Sequence, residues 1–311
     1  MQIATFPDDP SPRWHSPVLA LGNFDGLHRG HMKIIDRVRQ RAGERAGTPA
    51  AMTFDPHPSR VLRPDKAPPL LMTGEQKIEA LARSGMQGVV LVRFTHELSQ
   101  WDPEMFVRTV LVDWLHVAEV WVGANFLFGH ERSGTFSVLR TLGGRYGFRA
   151  EKIDPVRYKD FVVSSTRIRR LLTEGRVDEA GALLGHHYFI DGSVVKGAGR
   201  GRELGVPTAN LATLNELVPP AGVYATLLAV DEIVFPSVTN IGIRPTFGDV
   251  EKPVIEAHVL DFDRDLYGSS VRLSFVQRLR DERAFPDVDA LRAQIDADRR
   301  AARRLFGQIS L

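Results

Sequence analysis

The 311-residue chain contains no cysteine. That excludes disulfides, thiolate nucleophiles and every zinc site built on Cys ligands, and it suits a reducing, cytoplasmic location. Long apolar runs are missing too. Stretches such as Gly222–Val230 fall far short of the roughly 18 residues of a membrane span. The segment from Met1 to His15 carries Pro7, Pro10, Pro12, Asp8 and Asp9, and lacks the basic-then-apolar order of a secretory leader. Neither sign of charge dominates, with 40 Lys and Arg against 38 Asp and Glu. Lysine itself is scarce, at seven residues against 33 arginines. The densest basic cluster, Arg299, Arg300, Arg303 and Arg304, falls on a predicted C-terminal helix. No aromatics interleave with it as stacking platforms, so it reads as a solvated face, and neither nucleic acid nor membrane is expected as a partner. Internal repeats and low-complexity segments are absent as well.

What is present is ordinary globular composition, 43% hydrophobic and 25% charged, in a chain long enough for two domains. The first half alternates apolar runs with helical periodicity. Strands are predicted at Pro17–Asn23, Ala50–Phe54, Gly88–Phe94 and Ala118–Gly123. Helices are predicted at Gly30–Arg41, from an N-cap at Thr73 to about Arg83, and at Pro103–Leu115. This alternation predicts a doubly wound parallel sheet. Pro64 to Pro69 reads as a mobile loop. Short helices near Arg167–Leu172 and Val177–Leu184 precede a change of pattern at position 186. Beyond it come strand-like runs at Tyr188–Lys196, Gly222–Val230, Val234–Asn240, Val254–Leu260 and Ser270–Leu279, separated by Gly and Pro. They predict a small antiparallel β-barrel closed by a terminal helix, about Val288–Leu305. Domains 1–185 and 186–311 are therefore expected.

Two segments carry phosphate chemistry. Leu21 to His31 joins the first predicted strand to the first helix, with glycines at 22, 26 and 30. Ligands of open α/β sheets bind at the carboxyl ends of strands, and a helix N-terminus offers free N–H groups to an anion. His28 and His31, three apart at that turn, can serve one phosphate. The spacing is neither a Walker loop nor the dinucleotide fingerprint. The second segment runs from Lys196 to Asn210. Gly197, Gly199 and Gly201 can wrap an anion in successive N–H groups, and Thr208 and Asn210 offer the hard oxygens that Mg2+ prefers.

His28-Arg29-Gly30-His31 resembles the signature of nucleotidyltransferases that transfer AMP or CMP from a nucleoside triphosphate. Val163-Ser164-Ser165-Thr166-Arg167-Ile168-Arg169 looks like that superfamily's second phosphate-binding segment. The fuller string from Gly22 to His31, with Thr53 to Pro58 and Val122 to Gly129, resembles the adenylyltransferase half of the bacterial bifunctional riboflavin kinase/FAD synthetase family. The second glycine-rich segment resembles that family's flavokinase signature. So do Gly222 to Ala225, Asn240 to Gly248, Glu256 to Phe262 and Asp265 to Gly268.

The resemblance implies phosphorylation of riboflavin by Mg–ATP to FMN in the barrel, then adenylyl transfer from ATP to FMN in the first domain, giving FAD and pyrophosphate. It implies catalytic roles for His28 and His31, and for Glu256 as the kinase base. Gly22, Asn23, Phe24, Gly30, Ser165, Thr166, Arg169, Gly197, Gly199 and Gly201 would bind ATP or its phosphates. Asn125 and Phe54 would bind flavin, and Thr208 and Asn210 the metal. Riboflavin, FMN and ATP are then the partners, with the oligomeric state left open. Two other readings stay open at this stage. One is a flavin- or RNA-binding barrel with a degenerate transferase domain. The other is a transferase acting on a different phosphate ester, which leaves the barrel motifs unexplained.

Overall fold

The computed structural model of the chain describes residues 1–197, 205–244 and 252–308. They form two compact units, Met1–Ser165 and Thr166–Leu311.

Six strands make the sheet of the first unit: β1 (Gln2–Phe6), β2 (Val18–Leu21), β3 (Pro49–Asp55), β4 (Gly88–Arg93), β5 (Glu119–Gly123) and β6 (Arg149–Ile153). All pairings are parallel, in the order β1-β4-β3-β2-β5-β6. Alternate residues of β2 serve opposite faces. Leu19 and Leu21 pack with Met52, Val90 and Leu111, whereas Val18 and Ala20 pack with Ile34, Ile35 and Val38. Cover on both faces is why the strands read as unbroken apolar runs. Strand order reverses beside β2, whose neighbours are β3 and β5. The loops leaving β2 and β5 therefore flank the switch point, where ligands of such sheets bind.

The helix Arg29–Glu44 turns Ile34, Ile35, Val38 and Ala42 inward. The helix Gly74–Arg83 starts at Thr73, as expected, and closes a capping box. Thr73 Oγ1 accepts the Gln76 N–H, and the Gln76 side chain accepts the Thr73 N–H. Several features depart from the sequence reading, the short helices Pro58–Leu62 and His96–Ser99 among them. The predicted helix Pro103–Leu115 is one α-helical turn, Pro103–Phe106, followed by π-helical Val107–Trp114. Strands β1 and β6 and the helix Phe136–Tyr146 were not foreseen. β1 lies at a sheet edge and leads into Pro7, Asp8 and Asp9, so it offers little of the apolar signal of a central strand. Pro64–Lys66 forms a 3-10 turn inside the segment read as a loop.

In the second unit six strands close an antiparallel barrel: β9 (Tyr188–Val195), β10 (Ala209–Thr213), β11 (Gly222–Val230), β12 (Ile233–Arg244), β13 (Lys252–Val259) and β14 (Ser270–Arg280). The numbers 7 and 8 belong to a small hairpin of the first unit, Arg157–Tyr158 and Phe161–Val162. Tyr188, Tyr224 and Phe275 are fully buried and in ring contact. The two phenols donate to the carbonyls of Leu217 and Pro220. Burial pushes the Tyr224 phenol up to about 12.

The helix Val288–Gly307 lays Ala302 and Phe306 against Ala225, Leu260 and Val276. Arg299 and Arg303 on this helix pair with Asp296 and Asp261. The helix Val177–Leu184 buries Val177, Ala180, Leu183 and Leu184 and packs on β9 and β14. The division between the compact units falls between Ser165 and Thr166, ahead of position 186, where the strand-rich pattern begins.

Candidate active sites

In the first unit the chain leaves β2 through a tight turn and re-enters a helix at His28. Phe24, Gly26 and Leu27 all take positive φ, which compresses the turn. Phe24 is fully buried, so only its main chain can meet a ligand, and its ring meets His31 edge-on with centroids 5.3 Å apart. His28 caps the helix, its Nδ1 accepting the His31 N–H at 3.3 Å. In a neutral ring that leaves the proton on Nε2. The two imidazoles stack at 3.6 Å with 12° between planes. A Cβ on Gly30 would stand 3.1 Å from the His28 ring, so the absence of a side chain there is what lets the ring lie over the helix start. His31 Nδ1 is buried with no hydrogen-bond partner among the described residues. Burial pushes the His31 imidazole well below its ordinary value, and the neighbours His28 and Lys77 push in the same direction.

Three residues the sequence reading did not single out hold this turn. The Asp25 carboxylate is buried and accepts the Leu71 N–H at 2.9 Å. Thr53, on β3, donates its hydroxyl to the Asn23 carbonyl at 3.0 Å. Lys77 is buried beneath them, with Nζ 3.4 Å from Thr53 Oγ1. The available signal was a lysine four residues before Leu81 and four after the cap Thr73, on the inward side of its helix. Ser165 closes the turn from the other end by donating to the Asp25 carbonyl at 2.8 Å. Thr166 and Arg169 follow on the same helix, Ser165–Thr173.

Beside the turn lies a cavity of about 830 Å3, bordered by Gly22, Asn23 and Asn125 and walled by Phe54, Trp101 and Phe126, among others. That volume suits a ligand of drug size. Phe54 meets Phe94 edge-on, with centroids 5.7 Å apart, and Phe126 stacks on Phe128 at 5.3 Å. One opening therefore joins Gly22, Asn23, Phe54 and Asn125, at the switch point between β2 and β5. The cavity has flat aromatic walls and cationic residues Arg63 and Arg132 on its lining.

In the barrel Asn210 and Glu256 lie on strands, and Gly197 and Thr208 lie just outside β9 and β10. Glu256 is directly opposite Asn210 on β10 and opposite Asn240 on β12. Cross-strand partners share a face, so these three side chains belong to one surface. Asn240 was not foreseen as a site residue. Gly197 completes the group: a Cβ there would fall 2.1 Å from Asn210 Nδ2. His258, two residues beyond Glu256, donates from Nδ1 to the Pro207 carbonyl at 2.8 Å, next to Thr208, and burial lowers its pKa. Thr208 borders a second cavity, about 400 Å3, with Phe262, Asp265 and Tyr267. Gly199 and Gly201 lie outside the described residues. Hard oxygens from Thr208 and Asn210 suit Mg2+, which binds few protein ligands and completes its shell with water and phosphate. No cluster of three or more His, Cys, Asp or Glu among the described residues offers an all-protein cage instead.

Known proteins divide the chain in the same way. A family model for FAD synthetase matches residues 11–167, and one for riboflavin kinase matches residues 184–306. The chain is 38% identical over 297 residues to the bifunctional riboflavin kinase/FMN adenylyltransferase of Bacillus subtilis (strain 168), covering 94% of this chain and 93% of that protein. It is 38% identical to the protein of the same description from Pseudomonas fluorescens, covering 94% of each, and 36% identical to that of Escherichia coli (strain K12), covering 93% of each. A solved structure titled macrolide-efflux protein, from Streptococcus pneumoniae, superposes with a TM-score of 0.89 at 28% identity, covering 97% of this chain and 99% of that one. Among the described residues no helix is long and apolar enough to cross a membrane. With a parallel sheet and a closed barrel each matched by its own family model, and relatives aligned across both, the chain belongs to the bifunctional riboflavin kinase/FMN adenylyltransferase family.

Proposed function

We propose that the two reactions of the family run in the two sites just described, in a cytoplasmic enzyme. The barrel phosphorylates riboflavin with ATP to give FMN, and the parallel-sheet unit adenylylates FMN to give FAD. The supporting observation is the juxtaposition of Glu256, Asn210 and Asn240 in one unit and of the His28–His31 turn with an aromatic cavity in the other.

In the kinase step the terminal ribityl hydroxyl of riboflavin attacks the γ-phosphorus of ATP. Glu256 accepts the hydroxyl proton and ADP leaves. Thr208 and Asn210 would hold Mg2+, which would neutralise phosphate charge when bound. Gly197, which leaves room for the Asn210 amide, would face the phosphates.

In the adenylyl step a phosphate oxygen of FMN attacks the α-phosphorus of ATP, and pyrophosphate leaves. His28 and His31 donate hydrogen bonds to the α-phosphate, where charge builds. The helix start at Gly30 and the main chain of Gly22, Asn23 and Phe24 add N–H groups and dipole. Ser165, Thr166 and Arg169 hold the β- and γ-phosphates. Phe54 packs on the flavin, and Asn125 orients it.

The test is incubation with riboflavin, Mg2+ and ATP, followed by chromatography, with a parallel reaction started from FMN. Riboflavin should give FMN and then FAD, and FMN should give FAD with one pyrophosphate each. Conversion of neither flavin would return the chain to a binding role.

A further inference from the structure

Lys33, Lys66, Lys152, Lys159 and Lys196 are exposed, whereas Lys77 is buried. A cation is expensive to bury unless opposite charge and hydrogen bonds compensate it. Lys77 has both in part. Asp25 and Asp55 supply opposing charge, and Thr53 Oγ1 lies 3.4 Å from its ammonium. Burial nonetheless wins and lowers the lysine's pKa. Such a residue is a poor choice for stability alone, since an apolar side chain would fill the same space without the desolvation cost.

Its surroundings point to a different use. The Thr53 hydroxyl accepts from Lys77 and so must aim its own proton elsewhere. That proton goes to the Asn23 carbonyl, 3.0 Å away, in the turn that carries His28 and His31. Asp25, the other end of the turn, has its carboxylate toward Leu71 and its charge felt at Lys77. Hydrogen bonds in series strengthen one another, so the ammonium stiffens the Thr53–Asn23 link. Lys77 touches neither His28 nor His31 by hydrogen bond, but its charge reaches His31.

We propose that Lys77 is a positioning residue for adenylyl transfer, holding the Asn23–Asp25 turn from its buried side through Thr53. The proposal rests on the assignment of the His28–His31 turn to that reaction. The charged groups bearing on His31 are His28 and Lys77, and those bearing on Lys77 are Asp25 and Asp55. Removing the lysine's charge makes protonation of His31 easier. The acid limb of the rate profile then moves to higher pH.

The experiment uses the full chain with Lys77→Met, Lys77→Arg and Thr53→Val, following FAD formation from FMN at several pH values. Lys77→Met should lower kcat by about 10- to 100-fold, as a small misplacement of reacting groups does. KM for FMN should change by less than about threefold, because the aromatic walls Phe54, Trp101 and Phe126 of the cavity share no hydrogen bond with Lys77 among the described residues. The acid limb should move up. Riboflavin phosphorylation should not change. Lys77→Arg should recover part of the rate and of the acid limb. Thr53→Val should lower kcat with the limb in place, because the charge remains. Lys77→Met with wild-type kcat and pH profile overturns the proposal. If Lys77→Met no longer binds FMN because its unit unfolds, Thr53→Val at full rate overturns it instead. His28→Ala and His31→Ala run alongside. If they keep FAD formation, the site assignment fails; if they lose it while Lys77→Met does not, only the role of Lys77 fails.

Discussion

The two units build their candidate sites from opposite materials. In the parallel-sheet unit the His28–His31 turn sits where a loop leaving a strand enters a helix, and the main chain matters as much as the side chains. Phe24 and Leu27 take left-handed φ, His28 caps a helix, and Gly30 clears space for a ring. In the barrel register does the work: Asn210, Asn240 and Glu256 come from three strands and share one face. A loop site must be held by buried groups behind it, whereas a strand site is held by the ladder itself. That contrast predicts side-chain chemistry to dominate mutant effects in the barrel. In the sheet unit it predicts sensitivity also to residues that never touch substrate.

The sharpest test of the barrel is Glu256→Gln. The ribityl hydroxyl attacks well only if its proton is taken, and a positioned base is worth about 10²–10⁴-fold. Glutamine keeps the shape and loses the basicity. FMN formation should fall by that factor while adenylylation of supplied FMN stays near wild type. A fall below about tenfold removes Glu256 as the base, and parallel loss of both activities makes it structural.

On the sheet side, His28→Ala or His31→Ala should lower FAD formation by about 10²–10³-fold, the cost of losing one donor to developing charge. FMN should then accumulate in time courses started from riboflavin. Unimpaired FAD output from both variants would break the assignment of the turn.

Separability comes next. A fragment covering residues 166–311 should phosphorylate riboflavin and make no FAD. One starting at residue 186 lacks the helix Val177–Leu184, which buries Val177, Ala180, Leu183 and Leu184 beside β9 and β14. It should be less stable by roughly 2–4 kcal/mol in urea unfolding. Equal stability of the two fragments would show that this helix is not part of the barrel's core.

A smaller effect is expected from Gly197→Ala. The new Cβ would collide with Asn210, so the amide must move. The kinase kcat/KM for Mg–ATP should fall by roughly tenfold, with adenylyl transfer unchanged. The mildest variant is Thr73→Ala, which opens the capping box and should cost about 1 kcal/mol in unfolding. Lys77 lies on that helix, so a measurable loss of FAD formation in Thr73→Ala would show how little slack the buried support has.

Much of this was legible in the residues themselves. The parallel sheet followed from apolar runs alternating with helical periodicity. The His28–His31 turn followed from glycines and imidazoles at a strand–helix junction. The helix Gly74–Arg83 began at Thr73 because a threonine three residues before a glutamine closes a capping box. Those signals are local, and local chemistry is what a sequence states directly.

The rest depended on residues far apart in the chain. β10 is short and half-buried, and it becomes a strand by pairing with β9 and β13. Asn240 became a neighbour of Glu256 only through register, which no single segment specifies. Val107–Trp114 widened to a π-helix, although its apolar residues fit an ordinary helix within eight positions. Lys77 looked like one more helix lysine until the sheet placed Thr53, Asp25 and Asp55 around it. Composition and motif determined which chemistry this chain carries. Packing decided which charges are buried, because burial belongs to the assembled core and not to any stretch of sequence.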